Sequence, residues 1–84
     1  MNYFNLPNEL DALLKSASIV RPKITWFNLP SQLKEIKAQL LLINEDLEDE
    51  DLAVVLASIP NANWFNYLSV ANKIKTSIII INEL

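Results

Sequence analysis

Three residue types are missing from this chain, whose 84 residues include no cysteine, no glycine and no histidine. Without glycine, neither a phosphate-binding P-loop nor a dinucleotide-binding fingerprint can form, because both need backbone that approaches phosphates closely. Without histidine and cysteine, the usual zinc sites, Ser–His triads and cysteine nucleophiles are excluded. We therefore predict that the protein is not an enzyme, and that it uses no cofactor and no small-molecule substrate.

Long apolar runs are missing as well. Runs such as Leu40–Ile43 and Ile78–Ile81 are far below the roughly 20 residues that span a bilayer. The N-terminus lacks the basic stretch and apolar run of a signal peptide, and the absence of cysteine suits a reducing compartment. These features predict a single cytoplasmic domain over residues 1–84 with no membrane contact.

Charge is present but unevenly placed. The net charge is −3, and the seven basic residues are scattered without a contiguous patch, so we expect no direct binding of duplex DNA. Six of the ten acids are crowded into one short segment, and they are Glu45, Asp46, Glu48, Asp49, Glu50 and Asp51. Acidic residues at a helix N-terminus are ordinarily exposed to solvent and stabilised by the helix dipole. The alternative is an acidic surface that binds a basic partner, as in a small inhibitor or immunity protein encoded by a phage or mobile element. The segment lacks the glycine and the spaced glutamate of a calcium loop, so we predict no metal.

The most distinctive feature is a repeat. Residues 26–45 (WFNLPSQLKEIKAQLLLINE) align without a gap to residues 64–83 (WFNYLSVANKIKTSIIIINE), and nine of the twenty pairs are identical. Unrelated segments would share roughly one or two. A weaker echo occurs at residues 3–7 (YFNLP), which we take as a suggestion and not as a third copy.

The first 20 residues predict a helix. Leu6, Leu10, Leu13 and Leu14 follow the spacing of one helical face, and Pro7 suits a first turn. This N-terminal segment either packs on the rest of the domain or docks in a groove on a partner through that face together with Phe4.

The repeat itself is ambiguous between strand and helix. KITWFNL is rich in β-branched and aromatic residues and ends at Pro30, and both AQLLLIN and TSIIIIN have the length and composition of buried strands. Residues 32–44 are equally compatible with one amphipathic helix. We favour an α/β fold over an all-α bundle. It would be a small, mostly parallel sheet of about four strands, formed by two strand–turn–strand units, with the N-terminal helix and a central acidic crossover helix.

Four of the seven aromatic residues lie at the start of the two copies, as Trp26, Phe27, Trp64 and Phe65. The ordinary role of such residues is to fill the core. In a domain this small one face lacks full cover, and a partly exposed tryptophan is a typical interface anchor. The alternatives are therefore core residues or a partner-binding surface.

In order along the chain, several features resemble the psi subunit of the bacterial DNA polymerase III clamp-loader assembly. They are the Arg21–Pro22 pair, a strand closing at Leu29–Pro30, the apolar stretch Leu40–Asn44 followed by Leu47, and a helix carrying Val55 and Leu56. The chain is shorter than the familiar psi proteins, and residues 1–20 lack their tryptophan and contain a single basic residue, Lys15.

This resemblance implies a non-enzymatic adaptor of DNA replication. Residues 2–20 would contact the clamp-loader ATPase subunits, with Phe4, Leu6, Leu10, Leu13 and Leu14 as the apolar face. The folded part would bind a chi-like subunit, which in turn contacts single-stranded DNA-binding protein.

Overall fold

The computed structural model describes residues 5–84, and within that range the fold is four α-helices with no strand. The helices are α1 (Leu6–Ser16), α2 (Leu29–Leu47), α3 (Glu50–Ala57) and α4 (Tyr67–Glu83). The predicted α/β fold is therefore wrong, and the all-α alternative describes the protein.

The helices α2 and α4 replace the strands that we predicted. AQLLLIN lies inside α2 and TSIIIIN inside α4, while KITWFNL is an irregular segment and a turn that end at the first residue of α2. In α2, Leu29, Leu33, Ile36 and Leu40 are fully buried and follow the helical spacing of one face. Burial of that face outweighs the modest strand preference of the leucine and isoleucine runs.

Pro30 is the second residue of α2 and does not end a strand. Proline is tolerated in the first helical turn because the N–H group that it lacks would have no intrahelical partner there. Pro7 occupies the same place in α1, where the helix prediction was correct.

Three helices point in the same direction. Glu9 of α1 pairs with Lys75 of α4, and Ser16 of α1 accepts a hydrogen bond from Asn82 of α4. The two contacts are seven residues apart in both helices and follow the same order, so α1 and α4 run parallel. The helix α2 packs on α4, and the residues just before both helices meet at one end of the molecule, as described below. The segment from residue 17 to residue 28 returns the chain to that end after α1, and the short α3 and its following loop do so after α2.

The repeat is therefore a repeat of helices and of their burial pattern. Residues at matching positions of α2 and α4 are buried together: Gln32 with Val70, Leu33 with Ala71, Ile36 with Ile74 and Leu40 with Ile78. A second match precedes each copy, because residues 17–19 and 57–59 both read Ala-Ser-Ile and both isoleucines lie in the core. The core is formed by α4 against the other three helices.

Two residues of this glycine-free chain take the left-handed backbone conformation that glycine normally supplies. They are Ser18, with φ of 59°, and Glu48, with φ of 52°. Glu48 ends α2, and its N–H donates to Asn44 O at 2.8 Å. Asp49 then begins α3 by accepting a hydrogen bond from Leu52 N, also at 2.8 Å. The acidic stretch that we predicted as one helix therefore contains a break between α2 and α3.

Candidate partner-binding surface

Each copy of the repeat begins with a turn that an asparagine holds in place. The Oδ1 of Asn28 accepts a hydrogen bond from Thr25 N at 2.8 Å, and its Nδ2 donates to Lys23 O at 3.3 Å. Asn66 makes the same two contacts with Asn63 N at 2.8 Å and Asn61 O at 2.9 Å. In both turns the asparagine side chain bonds to the preceding loop and does not cap its own helix.

These turns share one backbone conformation. Asn28 has φ −106° and ψ 8°, and Asn66 has φ −117° and ψ 6°. Asn5, at the start of α1, has φ −97° and ψ 5° and, like Asn28, is followed by a buried leucine and a proline. The short YFNLP echo thus ends in the same helix start as the two full copies.

The two turns meet at Tyr67, the first residue of α4. The ring of Trp26 lies edge-to-face with Tyr67 at a centroid distance of 6.1 Å, and the ring of Trp64 does so at 5.7 Å. Edge-to-face pairs of this kind contribute about 0.5–1.5 kcal/mol each beyond the burial of their area. Tyr67 therefore joins the two copies. It was missing from our predicted sites, and the first copy has Leu29 at the matching position.

The phenylalanines beside these indoles are exposed. Phe27 is 98% exposed and Phe65 is 101% exposed, while Trp26 and Trp64 keep 37% and 56% of their surface open. We call the set Trp26, Phe27, Trp64, Phe65 and Tyr67 the aromatic surface. Exposed rings of this size present about 600 Å² of accessible area, since each aromatic side chain carries about 150–250 Å². That equals the largest apolar patches of typical monomers, which are often functional.

The predicted docking face of the N-terminal segment lies elsewhere. Leu6, Leu10 and Leu14 are buried in the protein's own core, and Leu13 packs partly against it. This face is covered by the domain itself and is not open to a partner in this conformation. Phe4 lies outside the described residues.

The acidic cluster lies at the opposite end of α2 from the aromatic surface. Glu45 is 16 residues beyond Leu29, which corresponds to about 24 Å along the helix. Asp49 is partly buried and serves as the cap of α3. The other predicted acids are exposed to solvent, and they are Glu45, Asp46, Glu48, Glu50 and Asp51.

An open pocket of about 380 Å³ lies between α1 and the return segment, with Leu14, Ile19 and Val20 as its apolar part. Arg21, on its rim, is already bonded to Gln32 Oε1 at 2.7 Å and to Glu35 Oε2 at 2.6 Å. Within residues 5–84 no cluster of acidic side chains has the arrangement of a metal site. None of the four helices is long and apolar enough to cross a bilayer.

Comparison with known protein families, with characterised proteins and with solved structures finds no match to this chain.

Proposed function

We propose that this chain is a protein-binding module without catalytic activity, and that the aromatic surface is its binding site. The observation that carries the proposal is the nearly complete exposure of Phe27 and Phe65. A solvent-exposed phenylalanine side chain adds nothing to the stability of the fold. Burial of the ring in a partner's pocket contributes about 1.5–3 kcal/mol to binding. Aromatic anchors of this kind dominate the energy of many protein interfaces.

The way the surface is built supports the same conclusion. Each exposed ring stands on a turn held by two asparagine hydrogen bonds, and Tyr67 contacts both tryptophans. Because the backbone beneath each ring is already held, binding has to order only the phenylalanine side chain, which lowers the entropic cost of association.

The replication role implied by the resemblance to psi is one instance of this function. Its sequence basis included strands at residues 23–29 and 38–44. The structure assigns the first to an irregular segment, a turn and the first residue of α2, and the second to α2, so the aromatic surface and not the resemblance supports our proposal. Co-expression with chi and clamp-loader subunits, followed by size-exclusion chromatography, tests the replication partners. Separate elution of every component would remove them.

The general proposal is tested with a double variant, Phe27→Ala with Phe65→Ala, against Val54→Ala. Val54 is 70% exposed on α3 and provides a matched loss of exposed apolar surface outside the aromatic surface. Tagged proteins are used to recover partners from the native cell, with quantification by mass spectrometry. We expect a partner retained by the wild type and by Val54→Ala but lost from the double variant. Equal recovery by all three proteins would contradict the proposal.

The acidic-inhibitor alternative has its own test. Charge reversal at Glu50 and Asp51 changes exposed acids in the first turn of α3, whereas reversal at Asp49 would also remove the cap of that helix. If binding of the recovered partner is lost on reversal at Glu50 and Asp51 but survives the phenylalanine substitutions, the acidic cluster is the binding surface.

A further inference from the structure

The charges of this molecule are separated along its length. Seven acids lie at residues 45–51 and at Glu83, near the C-terminal ends of α2 and α4, and no lysine or arginine lies among them. The rest of the chain carries seven cations against three acids. One of the cations, Lys15, lies next to Ser16, which is bonded to Asn82 at the acidic end. The half with the aromatic surface therefore has six cations against three acids, a local balance of +3 in a protein whose net charge is −3. Six of those cations lie in the return segment or in the first halves of α2 and α4.

Two of the cations close in sequence to the aromatic surface are exposed lysines. Lys23 precedes Trp26 in the return segment, and its carbonyl accepts the Asn28 hydrogen bond that shapes the first turn. Lys34 follows on the second turn of α2, and both side chains are exposed. Of the three acids of this half, Glu9 is paired with Lys75 and Glu35 with Arg21. Asp11 accepts a hydrogen bond from Ile24 N at 3.3 Å and keeps its negative charge.

The acidic end is too far away to cancel this field at the aromatic surface. About 24 Å separates Glu45 from the start of α2, which exceeds the Debye length of about 8 Å at physiological salt. A partner that approaches the aromatic surface therefore meets positive charge around an apolar centre.

We infer that the partner's contact surface is apolar with acidic residues around it, an inference that depends on the proposed function of the aromatic surface. Complementary charge around an apolar centre accelerates association and excludes partners of the wrong sign. The projecting rings of Phe27 and Phe65 supply the anchors, so the partner supplies apolar pockets and the carboxylates that surround them.

A second copy of this chain fits less well. An isologous pair would bury about 600 Å² per subunit, below the roughly 800 Å² of a standard interface, and would bring Lys23 and Lys34 near their own equivalents. A head-to-tail pair would leave one aromatic end and one acidic end unoccupied, so it would add further copies until it closed into a ring or extended into a filament. Single-stranded nucleic acid also pairs stacking rings with cations, but it requires a basic groove along the backbone, and two exposed lysines do not form one.

The test uses short random peptides displayed on phage and selected on the intact protein. Peptides that also bind the variant carrying Phe27→Ala and Phe65→Ala are removed. We expect the remaining peptides to contain about threefold more acidic than basic residues, and their association rate to fall about tenfold or more as salt is raised from low to high. The protein's only two tryptophans are Trp26 and Trp64, so a change in intrinsic fluorescence reports contact at this surface.

A matched pair of charge variants completes the test. Lys23→Glu with Lys34→Glu should remove the preference for acidic peptides, while Lys23→Arg with Lys34→Arg should keep it. Phenylalanine-dependent peptides that are neutral or basic would overturn this inference and leave the proposed function standing. No phenylalanine-dependent peptides at all would overturn both.

Two further measurements address the competing occupants. Labelled oligothymidine and oligouridine are titrated at physiological salt. Binding that is lost in the phenylalanine variant would overturn the inference that the partner is a protein. Dimers or larger species in sedimentation that disappear in the same variant would show that a second copy occupies the surface and would also overturn the inference. A monomer that binds neither oligonucleotide is the expected result.

Discussion

Two identical pairs of the repeat should respond to substitution in opposite ways. Phe27 and Phe65 form one pair and are fully exposed, while Ile36 and Ile74 form another and are fully buried. Truncation of a buried isoleucine to alanine removes its transfer free energy and leaves a cavity, at a cost of about 2–5 kcal/mol. Truncation of an exposed phenylalanine removes neither contacts nor buried area, so its cost should stay within about 0.5 kcal/mol.

These costs translate into separate melting temperatures. For a domain of this size, 1 kcal/mol shifts the midpoint by about 4–8 °C. Ile36→Ala and Ile74→Ala should each lower it by about 8 °C or more, and Phe27→Ala and Phe65→Ala by less than about 4 °C. Far-UV circular dichroism is the proper probe, because both tryptophans lie beside the substituted phenylalanines and would report local changes.

The outcome that refutes this reasoning is a loss above 1 kcal/mol for either phenylalanine variant. Such a loss would mean that the ring packs against the protein and is not an exposed anchor. A small loss for Ile74→Ala would contradict the central place of α4 in the core.

The remaining predictions concern the backbone and its caps. Glu48→Gly should raise stability by about 0.5–1 kcal/mol in urea unfolding, because glycine takes the left-handed conformation without cost; destabilisation would refute that geometry. Asp49→Ala should lower stability by about 1 kcal/mol through loss of the α3 cap, while Asp49→Asn should keep most of it; equal losses would indicate that charge and not capping matters. Asn66→Ala should lower stability by about 1–2 kcal/mol, because the variant loses two hydrogen bonds. Asn28→Ala should lower it slightly less, because its 3.3 Å bond is the longest of the four. No loss from either variant would show that the turns do not depend on these asparagines.

The sequence was informative where one helical face could be read directly. The spacing of Leu6, Leu10 and Leu14 predicted α1, and the acids before Leu52 predicted a helix start that Asp49 indeed caps. In α2 the same spacing extends from Leu29 to Leu40, but the apolar run at its end and Pro30 at its start favoured a strand. Proline in the first turn and burial of one face are both properties of helices, and together they would have decided the question.

The surface was harder to predict than the helices. Trp26, Phe27, Trp64 and Phe65 were predicted as candidates, but nothing in the residue types distinguishes the half-covered tryptophans from the exposed phenylalanines. That difference depends on Tyr67, which contacts both indoles and follows only the second copy of the motif. The burial of the N-terminal face is a tertiary result of the same kind, because its amphipathic spacing is equally compatible with docking on a partner and with packing on α4.

The paired turns have a geometric consequence for any bound partner. One inserted ring allows the partner to rotate about the point of contact, whereas two rings on a rigid base fix a line and remove most of that freedom. Insertion of the second ring is then an intramolecular step at high effective concentration. If Phe27 and Phe65 both insert, loss of either ring should weaken the complex and also loosen the angle at which the two proteins are held.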